Sequence, residues 1–256
     1  MIFQHVRITP DLHRLFQTFR LSTARKGERW NVGDIIALDP EARIEKYAQV
    51  IVGSVLPLEL GAFSYGHSVF STEMAVGRYC SLSWDVEVMG SNHPMDWVTT
   101  SPVTHYPQDI RGLSLYLRDI GAKEYGLHRF EHGRLPMTVG DDVWIGAHVM
   151  IKRGISIGHG AVVGAGSIVM HDVTPYAIVA GAPARILRHR FEGDLIAELL
   201  DSEWWRFGPE VVQALDVRDP ARFLDGLRKA IADGLQPLSL PVLTGAEIID
   251  AEEHVG

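Results

Sequence analysis

Histidine is the side chain best matched to proton transfer near neutral pH, because its free pKa is about 6.5. The chain has twelve histidines, and most are expected to lie on the surface or in structural hydrogen bonds. His93, in the stretch SNHPMDW, is different, because it stands where a regular pattern ends and a segment rich in Pro, Tyr and His begins. Such excursions from a regular scaffold are commonly functional. His93 is therefore the first candidate for a general base that removes a proton from a hydroxyl.

The regular pattern before and after this segment is a six-residue repeat. It places apolar, mostly β-branched residues at Val76, Leu82, Val88, Val139, Ile145, Ile151, Ile157, Val163 and Val169. A second, usually smaller residue follows four places later, at Cys80, Val86, Val143, Val149, Ile155, Ala161, Ser167 and Val173. A helix repeats about every 3.6 residues and a half-buried strand about every 2. A period of six instead predicts short strands joined by corners, as in hexapeptide β-helices.

A turn made of three hexads would stack residues eighteen apart at the parallel-strand spacing of about 4.8 Å. Asp141 would then lie beside His159. The same register would bring together two pairs of small residues, Gly146-Ala147 and Gly164-Ala165. These pairs predict a smooth groove in which a slender ligand can reach backbone amides. Their small size also suits the corners of a coil for packing reasons alone, and the periodicity does not give the hand of the coil.

Composition narrows the classes of partner. The 256 residues carry a formal net charge of -8, which argues against nucleic acid or an anionic membrane as the main partner, because either requires a basic field. Cys80 is the one cysteine, and its inward place predicts a core residue rather than a nucleophile. The amino-terminal stretch lacks the apolar core of a secretory signal. Since no run approaches the roughly 18 to 20 apolar residues that span a bilayer, a cytoplasmic protein is expected.

Three separated motifs carry a resemblance to known enzymes. The hexads followed by VTPYAIVAGAPARIL at 173–187 resemble the left-handed β-helix acyltransferases. More narrowly, CSLSWDVEVMGSNHPMDWVTTSP at 80–102 and RFEGDLIAELLDSEWWRF at 190–207 resemble the xenobiotic acetyltransferases, the group of chloramphenicol type B and streptogramin acetyltransferases. The similarity covers roughly residues 58–207. It implies a left-handed coil, a homotrimer, and active sites between neighbouring subunits.

The resemblance also implies the chemistry, which is O-acetylation. The family has its catalytic histidine in an Asn-His motif that matches His93 alone. His93 would remove the proton of an acceptor hydroxyl, the oxygen would attack the thioester carbonyl of acetyl-CoA, and His93 would return the proton to the departing thiolate. Such general-base help is worth about 10² to 10⁴ in rate. No covalent enzyme intermediate and no metal would be required.

Acetyl-CoA is long, thin and anionic, so it suits a groove with free amides and a few basic groups. In related enzymes the motifs WIGA and GAGS contact CoA, and they contain Gly146, Ala147, Gly164 and Ala165. Trp144 precedes the corner and is expected either to line the groove beside the thioester end of acetyl-CoA or to pack between subunits. Arg185, in GAPAR, is the expected phosphate contact. The family often has Thr-Lys where this chain has Met170-His171, which puts a phosphate contact at His171 in doubt.

The acceptor is expected to bind beside aromatic residues that carry a few hydroxyls nearby. The candidates are Tyr65, Asn92, Met95, Trp97 and Thr99. Asn92 falls at an inward place of the repeat, where a buried amide must be hydrogen-bonded, so it would either shape the site or clamp a corner. The pattern does not distinguish an antibiotic from a saccharide as the small or medium-sized acceptor.

The expected fold is mostly β: a left-handed parallel β-helix with a long loop excursion and flanking α-helices at both ends. An N-terminal helix and lead-in strands occupy 1–57, and the β-helix occupies 58–187 with the loop 94–138 inserted. C-terminal helices occupy 188–235, with Asp219-Pro220 opening one of them. The tail, 236–256, is expected to be loosely held.

Two alternatives from other classes remain open at this point. A zinc hydro-lyase resembling the γ-carbonic anhydrases needs three convergent histidines and an open position. His148, His159 and His171 are available, but their places in the hexads do not obviously point together, and the latter two are expected on the outer surface. The other alternative is a non-catalytic trimeric scaffold.

Overall fold

A computed structural model describes residues 3–21, 30–90, 92–106, 110–122, 126, 128–130 and 136–253. The chain divides into two units, the first made of Met1–Met89 and Leu135–Gly256 and the second of Gly90–Arg134. The six-residue repeat lies in the first unit. The second unit overlaps the excursion expected at 94–138.

The described strands, in chain order, are β1 (Gln4–Arg7), β2 (Ile35–Leu38), β3 (Arg43–Glu45), β4 (Gln49–Val50), β5 (Glu59–Leu60), β6 (Tyr65–Gly66), β7 (Met74–Val76), β8 (Ser81–Leu82), β9 (Val86–Val88), β10 (Met137–Val139), β11 (Trp144–Ile145), β12 (Val149–Ile151), β13 (Ser156–Ile157), β14 (Val162–Val163), β15 (Ile168–Val169), β16 (Ala177–Gly181), β17 (Ala184–His189) and β18 (Val242–Thr244). The helices are α1 (Pro10–Phe19), α2 (Arg111–Asp119), α3 (Gly193–Ser202), α4 (Pro209–Ala214), α5 (Pro220–Ala232) and α6 (Gly245–Glu253). None of these helices combines the length and the apolar composition needed to cross a bilayer.

Three parallel sheets make up the repeat region, which we call the coil. Sheet I runs β13-β10-β7-β5-β3, sheet II runs β16-β14-β11-β8-β6-β4, and sheet III runs β15-β12-β9. The chain visits the sheets in turn, and Trp144 pairs with Val162 while Met150 pairs with Ile168. The predicted register of eighteen residues is therefore confirmed. β7 pairs directly with β10, so the coil resumes in register after the second unit.

The inward places of the hexads form the core of the coil. Alternate residues of a strand point to opposite faces, and the first residue of the downstream hexads is at most 3% exposed in every case. Cys80, Ala161 and Ser167, from the second set of places, are fully buried. Val88 is only partly buried, because the chain leaves the coil directly after it. Burial of these apolar faces stabilises the coil by about 25 cal/mol per Å² removed from water.

Parallel pairing begins before the position expected from the sequence. β3 pairs with β5 and β4 pairs with β6, and a parallel bridge joins Ala37 of β2 to Val55, so parallel pairing starts by Ala37 and not at residue 58. The hexad spacing is absent there because Arg43 pairs with Glu59, only sixteen residues away. The lead-in segment therefore belongs partly to the coil. β1 and β2 form a separate antiparallel pair.

The described part of the C-terminal tail, 236–253, is paired and packed, contrary to the expectation of a loosely held segment. β18 pairs antiparallel with β3, which covers an edge that would otherwise be open to other strands. Leu243 and Ile248 are fully buried, and α6 packs against α1. At the opposite edge of the coil, β17 pairs antiparallel with β16.

The C-terminal helices share a second apolar cluster with the coil. The first of the C-terminal helices expected over 188–235 is α3, which is followed by a 3₁₀ turn at Trp204–Arg206. Asp219 caps α5 by accepting a hydrogen bond from the amide of Arg222 at 3.1 Å. Leu199 and Phe223, from α3 and α5, pack in one cluster with Tyr176 of the coil.

A buried ion pair ties together the two turns of the coil that precede and follow the second unit. Arg153 donates to both carboxylate oxygens of Glu73 at 2.6 Å, and the two side chains are 12% and 7% exposed. Glu73 also accepts a backbone hydrogen bond from Met137, at the start of β10. Loss of one partner would leave the other charge buried without compensation.

We expect Glu73→Ala to lower the free energy of unfolding by about 3 to 5 kcal/mol, because Arg153 would remain buried without its carboxylate. Urea unfolding of the purified protein measures this. Glu198→Ala is the control, since the Glu198–Arg228 pair is exposed and its loss should leave the unfolding midpoint unchanged. Equal midpoints for Glu73→Ala and wild type would contradict a structural role for the buried pair.

Candidate functional site

The His93 ring makes one hydrogen bond that fixes its tautomer. Nδ1 of His93 lies 2.7 Å from the carbonyl oxygen of Thr100. A carbonyl oxygen only accepts, so Nδ1 carries the hydrogen and the lone pair of the neutral ring lies on Nε2. His93 is exposed. The ring can therefore present a proton-accepting nitrogen to a ligand.

An aromatic cluster lies close to His93 within the second unit. Trp97 contacts the rings of His105, His128 and Phe130 at centroid distances of 5.6, 5.8 and 5.7 Å. His105 in turn lies 6.1 Å from His93, edge to face. Trp97 is therefore a packing residue of this unit, and its ring contacts hold the loop around His93.

The other acceptor candidates of this unit differ in their surroundings. Met95 is 89% exposed, while the hydroxyl of Thr99 accepts a hydrogen bond from the amide of Ser101 at 3.1 Å. Asn92 is exposed, so the expectation of a buried amide was wrong. The repeat ends with β9 at Val88, and Asn92 consequently has no inward place to occupy.

The Gly-Ala pairs lie at one corner of the coil, between sheets II and III. The amide of Gly166 donates to the carbonyl of Ala147 at 2.8 Å, and the amide of Gly146 donates to Val163. Among the described residues, however, the amides of Ala147 and Ala165 donate to no acceptor. Two neighbouring turns thus carry an unused amide at the same corner, and Ala147 is half-buried while Ala165 is exposed.

At the corner between sheets I and II, the corresponding amides donate to side chains. The amide of Arg78 donates to Oδ1 of Asp141 at 2.6 Å, and the amide of Asp141 donates to Nδ1 of His159 at 3.0 Å. The predicted proximity of Asp141 and His159 is thereby confirmed. His159 is also stacked on Trp205, with centroids 4.6 Å apart. Side chains cap this corner, whereas none of the side chains that the structure describes caps the amides of Ala147 and Ala165.

Packing between turns explains the two glycines. A Cβ atom on Gly146 would lie 2.6 Å from the amide nitrogen of Ala165, and one on Gly164 would lie 2.9 Å from the Cβ of Ala180. Both contacts are too close for a real side chain. The glycines are therefore required by the neighbouring turn, and the alanines that follow them are the positions at which a ligand could reach the backbone.

An outward row of residues runs along sheet II, past the Gly-Ala corner. Successive pairing of the strands places in this row Tyr65, Ser81, Trp144, Val162, Ile178 and Arg188. The structure thus brings Tyr65 and Trp144 to one face, separated by a single strand, and Trp144 is 57% exposed. The row is aromatic at one end and basic at the other.

Arg185 and Arg188 both lie on β17, at the basic end of this row, and both are exposed. Arg185 was predicted from the sequence as a phosphate contact, whereas Arg188 was not considered. The signal that could have identified Arg188 is its antiparallel pairing with Ile178, which periodicity alone does not reveal. His171 is exposed, at the corner between sheets III and I.

Cys80 lies in the core, as its place in the hexad predicts. Its side chain is fully buried, and Sγ lies 3.0 Å from the carbonyl oxygen of Gly140. Burial raises the pKa of the Cys80 thiol to about 12. A thiol with so high a pKa is almost entirely protonated at neutral pH and is a poor nucleophile.

The three histidines considered for a zinc site lie at three different corners of the coil. His148 follows β11, His159 follows β13 and His171 follows β15. His148 is paired instead with Asp85, at 3.2 Å. Within the described residues, no group of three or more His, Cys, Asp or Glu side chains is close enough to hold a metal ion. The three histidines therefore do not converge within one chain.

The fold is that of a hexapeptide-repeat protein, and comparisons with known proteins agree. The family model described as the hexapeptide repeat of succinyl-transferase matches residues 136–170. A chloramphenicol acetyltransferase of Klebsiella aerogenes is 35% identical over 145 residues, which are 56% of this chain and 63% of that protein. A probable macrolide acetyltransferase of Lysinibacillus sphaericus is 31% identical over 57% of this chain and 76% of that protein. The chain belongs to the hexapeptide-repeat acetyltransferase family.

Two further similarities are shorter or weaker. A galactoside O-acetyltransferase of Escherichia coli K12 is 51% identical over 53 residues, which are 21% of this chain and 26% of that protein. The solved structure of a maltose O-acetyltransferase from Clostridium difficile 630 is 29% identical, with a TM-score of 0.33, over 50% of this chain and 56% of that one. The chain spans less than two thirds of the length of the chloramphenicol acetyltransferases that it matches.

We expect Cys80 to resist thiol reagents in the folded protein, because burial raises its pKa to about 12. Ellman's reagent at pH 8 should release no thiolate from native protein and one equivalent after denaturation in guanidinium chloride. Cys80→Ala should retain acetyl transfer. Rapid native labelling of Cys80, or loss of transfer in a folded Cys80→Ala protein, would contradict its assignment to the core.

Proposed function

We propose that the protein is an O-acetyltransferase that moves the acetyl group of acetyl-CoA directly to a hydroxyl of a small or medium-sized acceptor. Family membership supports acyl transfer, since the relatives are named as acetyltransferases of chloramphenicol, macrolides and galactosides. The proposal includes the left hand of the coil, a homotrimer, and active sites between subunits. No metal takes part.

The hydrogen bond between His93 and the carbonyl oxygen of Thr100 carries the proposed mechanism. It keeps the hydrogen on Nδ1, so Nε2 of His93 is free to accept the proton of the acceptor hydroxyl. The hydroxyl oxygen then attacks the thioester carbonyl carbon, and the carbon–sulfur bond breaks. The proton held on Nε2 passes to the departing thiolate, which restores the neutral ring without a covalent enzyme intermediate.

The Gly-Ala corner is the proposed site of the pantetheine arm. The unused amides of Ala147 and Ala165 would donate to its amide carbonyls. The thioester end would lie toward Trp144, and the phosphates would lie toward Arg185 and Arg188 on β17. Because the net charge of the chain is -8, these arginines must supply the local positive charge that an anionic cofactor requires.

The proposed acceptor is a hydroxyl compound that offers a broad face to aromatic side chains. Tyr65 contacts His67 with ring centroids 5.7 Å apart, and His67 contacts Trp84 at 4.3 Å. Tyr65 of the first unit and, independently of it, Met95, Trp97 and Thr99 of the second unit are proposed as acceptor contacts. Both antibiotics and saccharides present such faces, and the names of the relatives include both classes.

Replacement of His93 tests the mechanism. We expect His93→Ala to lower kcat for acetyl transfer at least about a hundredfold, because the general base is lost, while the Kd for CoA stays close to wild type. Thiol release from acetyl-CoA, with hydroxylated antibiotics and saccharides as acceptors, measures the rate. His5→Ala is the control and should retain activity, because His5 is exposed on β1. A non-catalytic scaffold would be indicated instead if no acceptor produced thiol release.

Replacement of Ala165 tests the cofactor site. We expect Ala165→Trp to raise the Kd for CoA at least about tenfold, because an indole would fill the groove in front of the two unused amides; loss of two hydrogen bonds alone accounts for a change of this size. Isothermal titration with CoA measures the Kd. Ala232→Trp, exposed on α5, is the control. An unchanged Kd in Ala165→Trp would place the cofactor elsewhere.

A further inference from the structure

A cavity of about 310 Å³ lies in the first unit, between the coil and the C-terminal helices. Its volume is at the lower end of the range for small-molecule sites. Its polar end is formed by Asp142 and Tyr176 at corners of the coil and by Arg190 just after β17. None of these three residues takes part in the acetyl transfer proposed above, so the cavity requires its own explanation.

Arg190 is held rigidly at the polar end. Its Nη1 donates to Oδ2 of Asp142 at 2.9 Å and to the carbonyl oxygen of Gly160 at 2.7 Å. The guanidinium carbon lies 5.2 Å from the ring centroid of Tyr176 and 5.3 Å from that of Phe191. Stacking between an arginine and aromatic faces fixes the plane of the guanidinium. The orientation of its remaining donors is therefore set before any ligand arrives.

Those remaining donors are unused. A guanidinium has five N–H groups, and the hydrogen bonds of Arg190 to Asp142 and Gly160 engage Nη1 alone. Within the described part of the chain, Nε and Nη2 of Arg190 donate to no acceptor. The polar end consequently offers hydrogen-bond donors to a ligand, and a complementary ligand carries an acceptor.

The charge at this end is already balanced, because Asp142 and Arg190 form an ion pair. A ligand with a charge of its own would introduce a charge without a counter-ion in a partly buried place, which is costly. The remaining walls are apolar and include Leu199 of α3, Val212 of α4 and Phe223 of α5. These walls suit a hydrocarbon or aromatic body.

We propose that this cavity binds a compact, uncharged and mostly apolar molecule whose single polar group is a hydrogen-bond acceptor, such as an aryl ketone. The acceptor receives hydrogen bonds from Arg190, and the aromatic body packs between α3, α4 and α5. This site is separate from the cofactor groove and does not depend on acetyl transfer.

Three matched ligands test the chemistry of the site. Acetophenone is the probe, benzoate has nearly the same shape with a negative charge, and cumene has a similar shape without an acceptor. Isothermal titration at pH 7.5 should give a Kd for acetophenone on the order of 1 mM, as expected of a small ligand. Benzoate and cumene should each bind at least about tenfold more weakly, since benzoate carries a charge and cumene has no hydrogen-bond acceptor. Absence of acetophenone binding, or tighter binding of benzoate, would overturn the proposal.

Two variants test the location. Val217 lines the cavity and is 57% exposed, so Val217→Trp should fill the entrance without disturbing the core. Val32→Trp is the matched control, because Val32 is 54% exposed and does not line the cavity. We expect Val217→Trp to raise the Kd for acetophenone at least about tenfold and Val32→Trp to leave it unchanged. Equal affinities of the two variants would refute this location.

Arg190→Lys tests the role of the unused donors. A lysine keeps the positive charge beside Asp142 but removes the fixed planar donors. The preference for acetophenone over cumene should fall at least about fivefold, an amount that one lost hydrogen bond accounts for. Thermal unfolding of the variant shows whether the fold is intact. An unchanged preference in a folded Arg190→Lys protein would show that Arg190 does not recognise the ligand.

Discussion

The stacking of strands eighteen residues apart is the constraint on which the rest of the structure depends. Residues at the same position of successive turns therefore stack in a column along the coil. Ile145 and Val163 stack in the core, while Trp144 and Val162 stack on the outside. The same register leaves a backbone amide at each corner without a hydrogen-bond acceptor, because an amide that follows a strand no longer has a partner in the sheet. Each corner needs another acceptor for that amide.

The two corners that flank sheet II meet this need in different ways. Asp141 and His159 cap the amides between sheets I and II, so the amides of Arg78 and Asp141 already have side-chain acceptors. At the Gly-Ala corner, short side chains leave the amides of Ala147 and Ala165 without an acceptor in the described chain. The capped corner and the proposed binding corner therefore differ in side-chain length and polarity on a common backbone.

Much of the coil could be predicted from the sequence, because the repeat is local and regular. The inward residues, the burial of Cys80 and the contact between Asp141 and His159 all follow from a period of six. The parallel pairing upstream of residue 58 could not be predicted, since Arg43 pairs with Glu59 and Gln49 with Tyr65 at a spacing of sixteen residues, which does not show hexads. The order of the tail was also missed, because β18 pairs with β3 across about two hundred residues. No local pattern reports such a contact.

The candidate site could be predicted less completely than the fold. The sequence singled out His93, but only the structure shows that the carbonyl of Thr100 fixes its tautomer. Asn92 was misassigned because the hexad that begins at Val88 was extended to its inward fifth place, whereas the last strand before the second unit ends at Val88. The small residues at 146 and 164 were expected either to form a ligand groove or to fit a corner of the coil, and only the structure shows that the neighbouring turn requires the two glycines. Polar contacts of this kind depend on geometry that periodicity does not encode.

The central claim is that the cofactor uses the amides that the coil itself leaves without partners. The most direct test is a crystal structure of the protein with bound CoA. The account predicts that carbonyl oxygens of the pantetheine arm lie about 2.7 to 3.2 Å from the amide nitrogens of Ala147 and Ala165. A pantetheine arm bound at another corner, out of hydrogen-bond reach of both amides, would contradict it.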